Sequence, residues 1–140
     1  MRALLDVNVL VALSWPEHRQ YPLARAWFAR NRAKGWATCP LVQAGFVRIV
    51  SNPVFSQRAV SVHEAIQALQ SSLQDAAHQF WPDSISFPEA AGLLEDRLTG
   101  HQQITDAYLI ALAMRNRGKL ATLDRGMPRL GPAEAVEVIE

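Results

Sequence analysis

The sequence lacks several features that would place the chain in a broad class at once. Its single cysteine, Cys39, cannot form an internal disulfide, which argues against a disulfide-built scaffold and fits a reducing compartment. No base lies near Cys39 in the sequence, so a core role is favoured over a reactive thiol. There is no apolar run of about eighteen residues and no basic N-terminal region followed by a cleavable apolar segment. We therefore predict a cytoplasmic protein that does not enter a membrane.

Glycine-rich phosphate loops and internal repeats are also absent. The sequence contains neither GxGxxG nor GxxxxGK followed by Ser or Thr, which disfavours a nucleotide-binding domain or a small-molecule phosphohydrolase. Fourteen basic against thirteen acidic residues give a net charge of +1, so charge alone does not indicate a nucleic-acid-binding protein. A length of 140 residues predicts one domain, residues 1–140, with one buried core.

Strand and helix patterns alternate along the chain. Residues 3–13 begin as a strand buried on both faces and pass into a short helix, with Asp6 near the join. Further strands are predicted at 36–39, 78–81, 119–123 and 135–139, and further helices at 22–34, 40–50, 62–75, after 86 and at 105–117. This alternation predicts an α/β fold with three layers, α/β/α, around a mainly parallel central sheet.

Local signals place the helix ends. SVHE at 61–64 matches a capping box, and SFPE at 86–89 repeats it. Gly35 closes the helix at 22–34, whose buried side is predicted to carry Leu23, Ala26, Trp27 and Arg30. Gly118 is predicted to end the helix at 105–117, whose interior is apolar nearly all round and belongs in the core.

Three aspartates fall where a parallel sheet gathers its ligands, beyond the carboxyl ends of the strands. Asp6 follows the first strand, Asp124 follows the strand at 119–123, and Asp106 lies in the first turn of the buried helix before it. Each also has an ordinary structural explanation. Asp6 can cap the helix that follows it, Asp106 can complement a helix dipole, and Asp124 can serve as a turn residue.

Together, however, these three carboxylates repel one another and raise each other's pKa unless a cation neutralises them. Oxygen ligands without histidine or cysteine suit Mg²⁺ or Mn²⁺. Such an ion can lower the pKa of a bound water and stabilise charge on a phosphoryl group, which is the chemistry of phosphodiester hydrolysis.

Three segments then resemble a known family in order and spacing. They are LLDVNVL at 4–10, ITDAYLIALA at 104–113 and LATLDRG at 120–126, and they resemble the acidic blocks of PIN-domain nucleases, above all VapC-type toxins of bacterial toxin–antitoxin pairs. GFVR at 45–48 and SNP at 51–53 are similar to a VapC branch common in mycobacteria. The resemblance implies a PIN-like fold and an RNA endonuclease in which Asp6, Asp106 and Asp124 bind Mg²⁺ or Mn²⁺. It also implies that Asn8 and Thr122 orient ligands or water.

One position departs from the family pattern. PIN domains usually supply another acid, a glutamate after the second strand, and here the matching residue is Gln43. A glutamine offers a neutral carbonyl oxygen, so the cluster loses one negative charge and some cation affinity. Glu17 is a candidate replacement at the rim. The alternative function is therefore a PIN-like module that binds RNA or an antitoxin, with weakened or lost nuclease activity.

Substrate and partner features complete the expectations. Arginines greatly outnumber the two lysines, and Arg125, beside Asp124, is the preferred candidate for contact with substrate phosphate. Trp15, Trp36 and Trp81 can stack on bases, although a core role is favoured for each. None of the histidines is assigned a catalytic role, but His101 lies close before Asp106 and is a candidate border of the site. The resemblance implies a small cognate antitoxin with an arginine-bearing segment, and a homodimer.

Overall fold

A parallel β-sheet organises the chain, as the alternating pattern predicts. The structure is a computed structural model that describes residues 1–57, 60–94 and 97–140. The strands within these ranges are β1 (Ala3–Leu5), β2 (Trp36–Thr38), β3 (His78–Phe80), β4 (Lys119–Thr122) and β5 (Val136–Val138). They pair in the order β3-β2-β1-β4-β5, and every pairing is parallel. The chain therefore moves outward from β1 in both directions, and the order reverses between β1 and β4.

Helices cover both faces of this sheet. They are α1 (Val7–Ser14), α2 (Tyr21–Asn31), α3 (Pro40–Val50), α4 (Pro53–Ser56), α5 (Val62–Leu73), α6 (Phe87–Leu93) and α7 (Ile104–Arg115). α1 packs on α2 and α3, and α3 packs on α5, whereas α6 packs on α7. Because parallel crossovers are right-handed, connections that run in opposite directions place their helices on opposite faces. The predicted three-layer α/β/α fold is confirmed. No described helix has both the length and the apolar character needed to cross a membrane.

The two central strands lie in the middle of the core. All three residues of β1 are buried, and Leu4 lies opposite Ala37 of β2 and Leu120 of β4. In α7, residues 107–113 are all buried, which confirms the prediction from their apolar pattern. Burial on both faces explains why these segments read as continuous apolar runs instead of alternating ones.

Most element ends lie within about two residues of the prediction, as expected for helix and strand boundaries. Ser61 accepts a hydrogen bond from the Glu64 N–H while the Glu64 carboxylate accepts from the Ser61 N–H, so the capping box is confirmed. The end of the segment at 22–34 is confirmed too. There a 3₁₀ turn follows α2, and Gly35 adopts a φ of 89°, which favours glycine.

One prediction about the helices is wrong in part, and one helix was not predicted. Ala26 and Arg30 are exposed, and the buried side of α2 is formed by Ala24 and Trp27. The cause is a rotation of the helix about its axis, which a weakly amphipathic sequence leaves undetermined. A further helix, α4, was not predicted; Asn52 caps it by accepting from the Val54 N–H at 3.0 Å.

The role of Gly118 also differs from the prediction. α7 ends at Arg115, and the left-handed residue beyond it is Arg117, with a φ of 58°. The N–H of Gly118 donates to the Ala113 carbonyl at 2.8 Å, as in a Schellman motif. A Cβ on Gly118 would lie 2.5 Å from the Arg2 carbonyl oxygen and 2.7 Å from the Trp81 ring. Glycine is therefore required there for close approach to β1.

Candidate functional site

Asp6 lies at the point where the strand order reverses, which is where ligands bind in open parallel sheets. Its backbone N–H donates to the Ala121 carbonyl at 2.9 Å, extending the contact between β1 and β4 by one residue. The chain then turns into α1, and Asp6 is the residue that caps that helix, with Oδ1 accepting from the Val7 N–H at 2.7 Å. Only 7% of Asp6 is exposed. The capping role foreseen as an alternative is thus real, but it uses only one carboxylate oxygen.

The second oxygen of Asp6 is held from β4. The Thr122 hydroxyl donates to Asp6 Oδ2 at 2.7 Å, and Thr122 Oγ1 itself accepts from Asn8 Nδ2 at 3.2 Å and from the Asp124 N–H at 3.1 Å. Asn8 Oδ1 accepts from the Leu123 N–H at 3.2 Å. Two neutral side chains, fixed at the start of α1 and the end of β4, therefore hold the carboxylate in one orientation.

The other two aspartates reach the same region from different elements. Asp124 is exposed on the turn after β4, where its Oδ1 accepts from the Gly126 N–H at 2.8 Å. Asp106 lies half-buried in the first turn of α7. Parallel strands bring all their carboxyl ends to one edge of the sheet, so Asp6 meets residues at least a hundred positions away in sequence here.

A cleft of about 460 Å³ contains these side chains. Its lining residues are Asp6, Val7, Asn8, Val11, His18, Ile49, Asn52, Phe55, Asp106, Asp124 and Met127. The three predicted aspartates and Asn8 thus share one cavity. Among the described residues, the rest of its lining contains no further carboxylate and no lysine or arginine. Thr122 lies fully buried behind the cleft, at the centre of the hydrogen-bond network.

The electrostatics show that the carboxylates affect one another. Burial raises the pKa of Asp106 to about 6, and the charges of Asp6 and Asp124 act in the same direction. The pKa of Asp6 is also raised, mainly by burial and slightly by Asp124, against the opposing hydrogen bonds from Thr122 and Val7. Among the described residues, no ion pair with Lys or Arg balances these three acids. Within the described ranges, the cleft therefore has negative charge without a matching cation.

The donor set fits a hard divalent cation. Carboxylate oxygens from separate elements, backed by neutral hydroxyl and amide groups, are the ligands and supports that Mg²⁺ and Mn²⁺ use in proteins. In the part of the chain that the structure describes, no group of three His, Cys, Asp or Glu side chains is already drawn together around one point.

Gln43 does not line the cleft. It lies in the first turn of α3, where Nε2 donates to the Thr38 hydroxyl oxygen at 3.0 Å. That hydroxyl lies 2.8 Å from Nε2 of His78 on β3. Gln43, which the resemblance aligns with a glutamate, is therefore engaged in a neutral network at the end of β2 and the start of β3.

Several other candidates also lie outside the cleft. Arg125 and His101 are exposed and are not among its lining residues, and Glu17 lines a separate cavity beside Trp15. The indoles of Trp36 and Trp81 are buried, and each N–H is donated within the protein, at 2.9 Å to Asp75 and at 3.0 Å to Gln79. The core role favoured for these two tryptophans is confirmed.

Sequence reasoning missed three residues of the lining. His18 and Asn52 come from the segments after α1 and α3, and Phe55 comes from the unpredicted α4. The only signal for them in the sequence is the SNP segment at 51–53, which contributes to the family resemblance but does not by itself predict cleft residues. Loops that fold back over a site leave no periodic pattern to detect.

Comparisons with known proteins bear on the family and the fold. The family model described as the PIN domain matches residues 3–131. Ribonuclease VapC39 of Mycobacterium tuberculosis is 41% identical over 139 residues, covering 99% of this chain and 100% of that protein. Ribonuclease VapC38 of the same species is 39% identical over 140 residues, covering 98% and 97%.

Among solved structures, the chain is similar in fold to one in the crystal structure of VapBC2 from Rickettsia felis bound to a DNA fragment from their promoter. The TM-score is 0.69, the sequence identity is 16%, and the match covers 100% of both chains. At that identity the likeness concerns the fold alone.

Proposed function

Because the chain belongs to the PIN-domain family, we propose that it is an RNA endonuclease of the VapC type, the toxin component of a toxin–antitoxin pair. The reaction is hydrolysis of phosphodiester bonds with Mg²⁺ or Mn²⁺ as cofactor. We further propose that residues 1–140 act as one domain, because the buried residues of both faces form one core cluster.

The observation that carries the proposal is the meeting of Asp6, Asp106 and Asp124 in one cleft that has no internal counter-charge among the described residues. We assign these three carboxylates as metal-binding and catalytic residues. These residues would hold a divalent cation, which would supply positive charge for the phosphoryl group and lower the pKa of a bound water. Each carboxylate comes from a different element, which lets the fold fix their relative positions.

Thr122 and Asn8 are the positioning residues of this proposal. The Thr122 hydroxyl donates to Asp6 Oδ2, so the carboxylate cannot rotate away from the cleft without losing that bond. Asn8 Nδ2 donates to Thr122 Oγ1 and thereby leaves the hydroxyl hydrogen to Asp6. The usual effect of losing such a support is a decrease of about 10- to 100-fold in metal affinity or activity.

The partners follow from the same charge distribution. We propose RNA as substrate and a small antitoxin as protein partner, because a carboxylate cleft attracts an arginine side chain through charge-assisted hydrogen bonds. The structural neighbour from Rickettsia felis comes from a VapBC structure, which supports a partner of this kind. The homodimer is supported by the family resemblance alone, and the cytoplasmic location follows from the proposed RNA substrate.

One observation favours a second candidate function. Gln43 contributes no charge to the cleft and donates its amide to Thr38, so the site has fewer acids than the usual family pattern. The alternative is a PIN-like module that captures RNA or an antitoxin without cleaving RNA.

The decisive experiment is cleavage of single-stranded RNA by purified protein with Mg²⁺ or Mn²⁺. We expect the wild type to cleave RNA and the exposed control Glu134→Gln to cleave it equally well. Asp6→Asn should reduce cleavage by more than about 100-fold, because removing a metal ligand has a larger effect than removing a residue that only orients the ligand. Unchanged cleavage by Asp6→Asn would contradict the assignment of Asp6.

Calorimetric titration with Mn²⁺ separates the two candidates. Metal binding by the wild type, reduced in Asp6→Asn and intact in Glu134→Gln, supports the nuclease. A protein that binds no Mn²⁺ and cleaves no RNA, under conditions where Gln43→Glu does both, supports the module instead.

A further inference from the structure

We propose that His18, Asn52 and Phe55, which line the carboxylate cleft without contributing a carboxylate of their own, bind one unpaired nucleobase next to the phosphate that is cleaved. We call these three residues the base patch. The proposal rests on the proposed ribonuclease function and adds to it the part of the substrate that is recognised beside the reacting group.

Phe55 provides an aromatic surface for stacking. It lies on α4 and is 41% exposed although it lines the cleft. Trp15 contacts it in a T-shaped arrangement, with ring centroids 6.2 Å apart and an interplanar angle of 76°. This T-shaped contact occupies at most one face of the Phe55 ring, and no other ring contact to Phe55 is found among the described residues, so a face remains for a base.

His18 adds a hydrogen-bond donor whose identity is fixed by the backbone. Its Nδ1 accepts from the Gln20 N–H at 3.0 Å, so that nitrogen carries no proton and the proton of the neutral ring is on Nε2. Backbone hydrogen bonds from His18 N–H to the Trp15 carbonyl and from Tyr21 N–H to the His18 carbonyl hold the turn. The imidazole is thus a preoriented donor at the wall of the cleft.

Asn52 adds two more donors. Its Oδ1 accepts from the Val54 N–H at 3.0 Å, which fixes the amide so that its oxygen is used by the helix cap. No hydrogen bond from its Nδ2 is found within the described ranges 1–57, 60–94 and 97–140. The base patch therefore combines one aromatic face with N–H donors and contains no carboxylate.

This combination selects among possible occupants. A nucleobase has π-faces for stacking and ring-nitrogen or carbonyl acceptors at its edge, so it matches both parts of the base patch. An arginine of a protein partner can stack on Phe55, but it has only donors and offers no acceptor to His18 or Asn52, whereas it matches the carboxylates. The cleft volume of about 460 Å³ lies within the usual range of small-ligand pockets, roughly 300–1,000 Å³. One nucleotide beside the carboxylates is therefore the occupant that the chemistry favours.

The test compares an RNA octamer of uridine with a ribose-phosphate octamer that lacks the bases. Both are titrated against Asp6→Asn protein in the presence of Mn²⁺, so that binding is measured without cleavage. We expect the uridine octamer to bind more tightly, and Phe55→Leu to reduce that preference by at least about 5-fold, since stacking is lost. Phe55→Trp should retain the preference, and Phe87→Leu, a control with a similar exposure of 37%, should leave it unchanged.

Histidine variants test the donor separately. In His18→Asn, the side-chain oxygen can still accept from the Gln20 N–H, but no N–H replaces that of histidine Nε2, so the preference for bases should decrease. In His18→Gln, the longer side chain retains an N–H near the position of Nε2 and should preserve more of the preference. Thermal unfolding of each variant checks that the fold persists.

The possible outcomes distinguish failure of the base patch from failure of the proposed ribonuclease function. Wild-type protein that cleaves no RNA and Asp6→Asn protein that binds neither octamer would overturn both proposals together. Tight binding of both octamers with equal affinity would overturn the base patch alone. So would a Phe55→Leu variant that weakens capture of a partner protein but leaves the preference for bases intact.

Discussion

Two buried threonines occupy matching places at the carboxyl edge of the sheet and build two different environments. Thr122 ends β4 and Thr38 ends β2, and both are 0% exposed. Each hydroxyl oxygen accepts from a side-chain amide at the start of a neighbouring helix, from Asn8 at 3.2 Å and from Gln43 at 3.0 Å. The two threonines differ in the other side chain that the hydroxyl contacts. For Thr122 it is the carboxylate of Asp6, and for Thr38 it is the ring of His78.

This other side chain, Asp6 in one network and His78 in the other, decides what each network can do. Because an amide nitrogen already donates to the threonine oxygen, the hydroxyl hydrogen is available to the remaining partner. Beside Asp6 it stabilises an anion that lines a cleft, whereas beside His78 it forms a neutral network away from the cleft. The same local arrangement thus supports a site at one place and packing at the other, and Gln43 belongs to the second.

The largest effect expected within this comparison is on cleavage. Thr122→Val removes the donor to Asp6 and should reduce metal-dependent cleavage by about 10- to 100-fold, whereas Thr38→Val should leave it within about 3-fold. Both variants leave polar partners unpaired and should lose about 1–3 kcal/mol of unfolding free energy. Single-turnover cleavage with Mn²⁺ and urea unfolding measure the two effects. Equal loss of cleavage in both variants would show that the difference between the networks is only structural.

Gln43→Glu tests whether the neutral network can be made acidic. A carboxylate at this position cannot donate to Thr38, so the threonine hydroxyl must donate to that carboxylate and His78 must then become the donor. We expect the pKa of His78 to rise, because a protonated imidazole is now favoured by its neighbours, and cleavage not to improve. An NMR titration of the His78 ring measures the first effect. A large gain in cleavage would mean that position 43 reaches the cleft after all.

The metal-free carboxylate edge should destabilise the protein as pH rises. The folded-state pKa of Asp106 is raised to about 6, so the folded protein binds more protons than the unfolded chain between about pH 4 and 6. Stability from this group is present below that range and is lost as pH rises through about 6. Asp106→Asn should flatten this part of the stability profile, and adding Mn²⁺ at pH 7.5 should raise the melting temperature of the wild type only.

The neutral edge should show the opposite, smaller dependence. Burial lowers the pKa of His78 below 6.5; Arg2 acts in the same direction, while Asp75 and the Leu73 carbonyl oppose it. Stability from this neutral, half-buried histidine is present above about pH 6.5 and is lost as pH falls through the lower folded-state pKa. The difference in unfolding free energy between wild type and His78→Gln should therefore shrink in acid. A constant difference across pH 5–8 would contradict this reading of His78.

Much of the architecture was predictable because it depends on local patterns. The buried strand at Ala3–Leu5, the apolar helix α7 and the capping box at Ser61 each have a signal within a few residues, and all were identified. The errors concern orientation. The sequence of α2 does not distinguish Ala24 from Ala26 as the inward residue, and the clash that requires glycine at 118 comes from Arg2, far away in the chain.

Spacing and residue type were enough to predict the alternating strands and helices and the three acids at strand ends or a helix start. The family was indicated by the resemblance of three segments, at 4–10, 104–113 and 120–126. Which side chains face one another became visible only in the folded molecule. Asp6, Asp106 and Asp124 share a cleft with His18 and Phe55, while Gln43 pairs with Thr38 instead. This division arises because hydrogen bonds and repulsion between side chains act over a few ångströms in space, and distance along the chain does not record which residues the sheet brings together.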